Sequence, residues 1–176
     1  MSSFQDASQI TAEQLEQVTR LLGREPRGLR QIMVFGRTGA PAVIRVASLV
    51  DGKPFPTLYW LIDSELCLRI DRMEASGCIA QLQTEVDESP ELRARMLSDH
   101  RSHQRARDQF LSVLERQFLS AQGMLDALDK RGIGGIAEPD RIRCLHTWYA
   151  AHLVTPNCIG ERLDAMWANG EYLAQS

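Results

Sequence analysis

The stretch IMVFGRTGAPAVIRVASLVDGKPFPTLYWL, Ile32 to Leu61, decides the fold. Ile32–Phe35 and Ala40–Val50 are β-branched runs separated by Gly36-Arg37-Thr38-Gly39, a segment whose glycines read as a hairpin turn. Asp51-Gly52 turns the chain again, and Thr57–Leu61 supplies an aromatic-rich third strand. Pro54 and Pro56 bracket Phe55 ahead of that strand, where their missing N–H groups cost no ladder bond. The expectation is a three-stranded antiparallel meander.

On either side of this sheet the apolar period is helical. Thr11 with Gln14 has the spacing of a capping box, and Leu15, Val18, Leu21 and Leu22 form one stripe that ends at Gly23, which predicts a helix over 11–22. After Asp63, Leu66, Ile70 and Met73 recur at helical spacing up to Gly77. Ser89-Pro90-Glu91 opens a long helix expected to run to about Gln122. Its middle, SDHRSHQRARDQ (Ser98–Gln109), holds no large apolar residue, so it reads as a solvated face or a partner surface through which a homodimer would form. Pro139-Asp140 is read as the start of a helix carrying Ile142, Leu145, Tyr149 and Leu153, ended by Thr155-Pro156-Asn157 and followed by a short helix from Gly160 to about Trp167 and a fraying tail. The fold class is therefore α+β: a small meander-like sheet packed against several helices, one of them long. Residues 1–176 form one domain, with a helix at 11–22, a sheet region at 31–62 and a helical region at 63–170.

Composition narrows the function classes. The 176 residues are 44% hydrophobic and 24% charged, an ordinary globular balance. The formal charge of −3 exerts no global pull on nucleic acid or anionic lipid. His100, His103, Arg101, Arg105 and Arg107 make a basic patch with no stacking aromatic between them, so nucleic acid is not an expected partner. No apolar run is long enough to span a membrane, and the N-terminus lacks the pattern of a secretory signal, so a cytoplasmic location without a membrane partner is expected. Cys67, Cys78, Cys144 and Cys158 contain no C-x-x-C pair, and free thiols are expected.

Chemistry is densest late in the chain. Arg131-Gly132-Ile133-Gly134-Gly135 precedes Arg143, Cys144, His146 and His152. Glycine-rich backbone ahead of a helix aims N–H groups at an anion, with Arg131 and Arg143 adding charge, although the spacing matches neither a P-loop nor a dinucleotide fingerprint and a plain turn is the simpler reading. Lys53, Thr57 and Tyr59 line a rigid turn suited to a small-molecule pocket. The leading expectation is a site for a small anionic ligand in which Arg131, Arg143, Gly132, Gly134 and Gly135 hold the anion. Lys53, Thr57, Tyr59 and His152 orient the remainder, and Cys144 and His146 are the reactive, proton-transferring pair. A direct Cys144–His146 contact needs a local bend, because residues two apart in a helix face apart. For the same reason no metal site is read from Cys144, His146 and His152, and His146 is expected along the apolar stripe. Which cofactor, if any, the site uses is not written in these residues. A non-catalytic interaction protein and a metal-dependent hydrolase are the alternatives.

Several blocks also carry a resemblance. Leu22-Gly23-Arg24-x-Pro26-Arg27-Gly28, Gly39-x-Pro41-x-Val43, Asp51-Gly52-x-Pro54-Phe55-Pro56-Thr57-Leu58-Tyr59-Trp60-Leu61, Arg72-Met73-Glu74-x-x-Gly77, Arg131–Gly135 and Cys144-Leu145-His146 together resemble a bacterial family, domain of unknown function 501. The resemblance spans roughly residues 20 to 165. It implies further histidines after the C-L-H block; here Trp148 and Ala151 stand in two such places, while Tyr149, His152, Asn157 and Gly160 match. It implies no activity.

Overall fold

A computed structural model describes residues 10–170. The expected readings of the N-terminus as lacking a leader and of the tail as fraying fall largely on residues 1–9 and 171–176, outside the described residues. The meander is present. Strands β1 (Leu29–Phe35), β2 (Pro41–Val46) and a later strand at Tyr59–Leu61 pair antiparallel, with β2 in the centre and buried along its whole length. Between them β3 (Leu49–Val50) and β4 (Lys53–Pro54) form a small ribbon closed by Asp51-Gly52, and Tyr59–Leu61 is therefore β5. Pro54 is thus inside a strand pair rather than ahead of pairing, which its missing N–H permits on so short a ribbon. Asp51 and Gly52 both have positive φ, 50° and 73°, the conformation that Asp-Gly favours in tight hairpins.

Alternation along β2 divides the core in two. Ile44 and Val46 join Val18 of helix α1 (Ala12–Leu22) and Trp60 in a small cluster on one face of the sheet. Val43 and Tyr59 face the larger cluster, made with the helices of the second half. Helix α1 begins as read, with Thr11 and Gln14 exchanging side-chain and backbone bonds.

The helical half is more broken than its apolar spacing suggests. Helices α2 (Ser64–Ala75), α3 (Cys78–Glu88), α4 (Pro90–Phe110), α5 (Val113–Ala121) and α6 (Leu125–Asp129) precede a 3₁₀ turn at Ile133–Gly135. Helices α7 (Leu145–Val154) and α8 (Cys158–Ala168) complete the described chain. The long helix ends at Phe110 rather than near Gln122, because Ser112 and Glu115 form a second capping box that starts α5. The late helix starts at Leu145 rather than at Pro139. Gln83 of α3 takes the N–H of Ile142 at 3.0 Å and gives its own N–H to the carbonyl of Asp140 at 2.9 Å, holding that backbone out of a helix.

The polar centre of α4 corrects a second expectation. His100, His103 and Arg107 are 2%, 7% and 1% exposed, so this face points into the protein rather than toward solvent. The Nδ1 of His100 accepts the N–H of Ile133 at 2.9 Å, and the ring packs edge-on against Trp148. His103 meets Tyr59 edge-on at 5.6 Å. Arg107 donates to the carbonyls of Leu128 and Pro56 at 2.6 and 3.3 Å. Polar side chains thus do here what leucines do elsewhere in α4, where Leu92 and Met96 fill the core.

Candidate functional site at the start of helix α7

The delayed start of α7 creates the site. Cys144 is the N-cap residue, extended at φ −155° and ψ 120°, and makes no capping bond with its side chain. Its Sγ therefore swings beside the first turn and lies 3.8 Å from Nδ1 of His146. The bend that a direct contact requires is the helix boundary itself. His146 also departs from the apolar stripe, which Leu145, Trp148 and Tyr149 occupy instead. Its ring is half-buried against α2, with Nε2 3.3 Å from Oδ1 of Asp71 and Nδ1 3.5 Å from Oε1 of Glu74.

Asp71 and Glu74 lie three apart on α2 and so present their carboxylates on one face. Glu74 is anchored because its Oε1 accepts the N–H of Leu145, the first free amide of α7, at 2.6 Å. The imidazole is pushed up to about 9, first by its bond with Cys144, then by the negative character of Cys144, Glu74 and Asp71, against the opposing effect of burial. Cys67 lies nearby. Its thiol contacts the carbonyl of Leu61 and is pushed up to about 11, by burial first and then by Asp71, Asp63 and Cys144. Glu74, Cys144 and His146 offer an oxygen, a sulfur and a nitrogen that all lie within 4.8 Å of one another.

The other sequence-read residues divide into two groups. The PFPT turn, the RGIGG loop and the start of α7 do meet. A Cβ on Gly135 would lie 2.9 Å from Pro56 and 3.5 Å from Thr57 Oγ1, and one on Gly134 would lie 2.7 Å from Thr147 Oγ1. The anion cradle fares differently. The N–H of Gly132 bonds the Ile136 carbonyl at 2.8 Å and that of Gly135 bonds the Gly132 carbonyl at 3.0 Å, so two of the three glycine amides are spent within the loop. Arg131 is exposed and donates to the Gly135 carbonyl at 3.3 Å, and Arg143 is exposed and paired with Glu138 at 3.0 Å. Lys53 is exposed in the ribbon, Thr57 is half-buried, and Tyr59 is buried, its hydroxyl pushed up by desolvation. His152 stands apart from Cys144: its Nδ1 accepts the N–H of Asn157 at 3.1 Å and its Nε2 meets Asp164 at 3.0 Å, a carboxylate that also takes the Tyr149 hydroxyl at 2.8 Å. Both ring nitrogens are engaged in tying α7 to α8.

Sequence reasoning missed Asp71 and Glu74. Their separation of three was readable, but Glu74 bonds a residue 71 positions away, and no local spacing announces that partner. Among the described residues no helix is long and apolar enough to cross a membrane. No curated protein and no solved structure matches the chain. Residues 32–165, from the first sheet strand through the C-L-H helix into α8, match the family described as "Protein of unknown function (DUF501)", and the chain belongs to that family.

Proposed function

We propose that the protein is a thiol-dependent enzyme acting on a small substrate that bears an anionic group, with Cys144 as nucleophile and His146 as its base. One observation carries the reading: the Cys144 sulfur faces Nδ1 of an imidazole whose Nε2 faces the Asp71 carboxylate. A nucleophile, a base and an orienting acid in that order are the parts that nucleophilic catalysis needs, and such contacts are often loose before substrate binds.

The ring, pushed up to about 9, already holds the proton at Nδ1 when the Cys144 sulfur attacks an electrophilic acyl carbon, and the leaving group takes that proton as its own bond to the carbon breaks and the acyl–sulfur bond remains. Water, deprotonated by the same ring, then releases the acyl group and restores the thiol. The first-turn N–H groups of His146 and Thr147, which have no acceptor within the helix, are the donors we assign to the developing negative charge. Asp71 keeps the ring oriented, and Glu74 favours its protonated form. Arg143, exposed and adjacent in sequence to Cys144, is the cation for the substrate's anionic group.

Alkylation with iodoacetamide, read by intact mass and peptide mapping, tests this without a known substrate. Cys144 should react at least tenfold faster than Cys67 at neutral pH, and His146→Asn should remove most of that advantage. Equal rates at the two cysteines, or a Cys144 rate unchanged in His146→Asn, would sink the catalytic reading.

A further inference from the structure

Oε1 of Glu74, Sγ of Cys144 and Nδ1 of His146 converge from two elements, α2 and the start of α7, on one point. We infer that these three side chains form a binding site for a borderline-soft divalent cation, zinc first among them. This goes beyond the catalytic proposal and does not depend on the reactivity of the thiol.

Size is the first argument. A tetrahedral zinc ion with bonds of about 2.3 Å to sulfur and about 2.0–2.2 Å to nitrogen and oxygen sets its ligand atoms about 3.3–3.6 Å apart. The sulfur–nitrogen and nitrogen–oxygen separations here are 3.8 and 3.5 Å. The sulfur–oxygen separation lies within 4.8 Å, so closure around an ion takes shifts of a few tenths of an ångström on the first two edges and up to about an ångström on the third, which side-chain torsions supply.

Ligand chemistry is the second. A thiolate, an imidazole and a carboxylate are the donor types that zinc accepts, whereas a lone oxygen cluster suits calcium or magnesium. Two negative ligands and a neutral imidazole balance the charge of a divalent ion. Binding then releases the thiol proton, and any second proton on the ring, to solvent.

The surroundings are the third. Asp71 faces Nε2, so the N–H of a neutral ring is directed there and the Nδ1 lone pair is left toward Cys144 and Glu74. This is the carboxylate–histidine arrangement that orients metal-bound imidazoles. The Leu145 N–H fixes the Glu74 oxygen in advance and leaves that oxygen a second lone pair for a metal. Three protein ligands on half-buried side chains leave a fourth position for solvent, the layout of reactive rather than purely structural zinc sites.

The test is zinc titration of the full chain against a chromophoric chelator, with cobalt(II) as a spectroscopic probe. One equivalent of zinc should bind, and cobalt should give a thiolate-to-metal charge-transfer band. Cys144→Ser and Glu74→Gln should each weaken zinc binding at least tenfold and the first should abolish the band; Asp71→Asn should weaken binding about tenfold. Cys67→Ser should bind as the parent does. Absence of stoichiometric zinc, or a cobalt complex of the parent protein without a thiolate band, overturns the site even if a variant fails to fold. Zinc binding that survives both Cys144→Ser and Glu74→Gln overturns it as well. Ion and dyad use the same sulfur and ring nitrogen, so alkylation is read on chelator-stripped protein: zinc uptake with slow Cys144 alkylation there would retire the catalytic proposal alone, and fast alkylation with no zinc uptake would retire this one alone.

Discussion

At the scale of single residues, two glycines are placed by the imidazoles that lean on them. A Cβ on Gly132 would sit 2.1 Å from Nδ1 of His100, and one on Gly160 would sit 2.1 Å from Cγ of His152. Neither contact is with the free end of a flexible chain, since both rings are held by hydrogen bonds to backbone N–H groups. Gly132→Ala and Gly160→Ala should therefore each destabilise the fold by about 1–3 kcal/mol, measured by denaturant unfolding. Gly52→Ala serves as the contrast: nothing lies within 4 Å, so only its φ of +73° resists the change, at about 1 kcal/mol. A loss at Gly132 and Gly160 no larger than at Gly52 would contradict this packing.

At the scale of the element, α4 shows how a polar face is buried. Arg107 satisfies the carbonyls of Pro56 and Leu128, which belong to the turn before β5 and to α6, and its side chain stitches three segments that share no strand or helix. Burial lowers its guanidinium below the ordinary arginine value, with Asp129 and Asp108 acting in the opposite sense. Removing it strips the Pro56 carbonyl of this donor, at about 1–3 kcal/mol, leaves the Leu128 carbonyl with the N–H of Arg131 alone, and opens a void. Arg107→Ala should cost about 3 kcal/mol or more, checked by the same unfolding curves, whereas a truncation of the neighbouring exposed Arg105 should fall within about 0.5 kcal/mol. The capping boxes at Thr11 and Ser112 are equally legible in the chain, but only the first coincides with the start of an apolar period. The second lay inside an apolar period that runs through Phe110, Leu111, Leu114 and Phe118, and a continuous period conceals a break that local capping makes.

At the scale of the whole molecule, the two buried histidines of α4 link stability to pH. Burial pushes His100 down to about 4 and His103 down to about 3; Asp99 opposes the shift at His100, and Arg107 adds to it at His103. Both are neutral when folded, while in the unfolded chain they titrate near about 6.5. Above that value neither state takes the proton and their contribution is complete. As pH falls from about 6.5 toward 4, the unfolded chain binds protons that the fold refuses, and stability drops by about 1.4 kcal/mol per pH unit for each histidine. Unfolding free energies measured between pH 7 and 4.5 should follow that slope, and His103→Gln should reduce it by about half; a slope unaltered in that variant would place the titration elsewhere.

The amino-acid order by itself determined the meander, the first helix and its cap, the α+β class and the family, because each is written in short-range signals: period, turn residues and contiguous blocks. It also singled out Cys144 and His146. Only tertiary structure decided that α7 starts at Leu145, since Gln83 of α3 occupies the backbone groups that would have extended it. That one boundary brings sulfur and imidazole together, and the packing of α2 beside it adds Asp71 and Glu74. The same long-range packing turned the polar middle of α4 inward, because its partners, Ile133, Tyr59, Pro56 and Leu128, come from distant segments of the chain. A hydrogen bond between residues far apart in sequence leaves no periodic trace in either, so its consequences become visible only when the fold joins them.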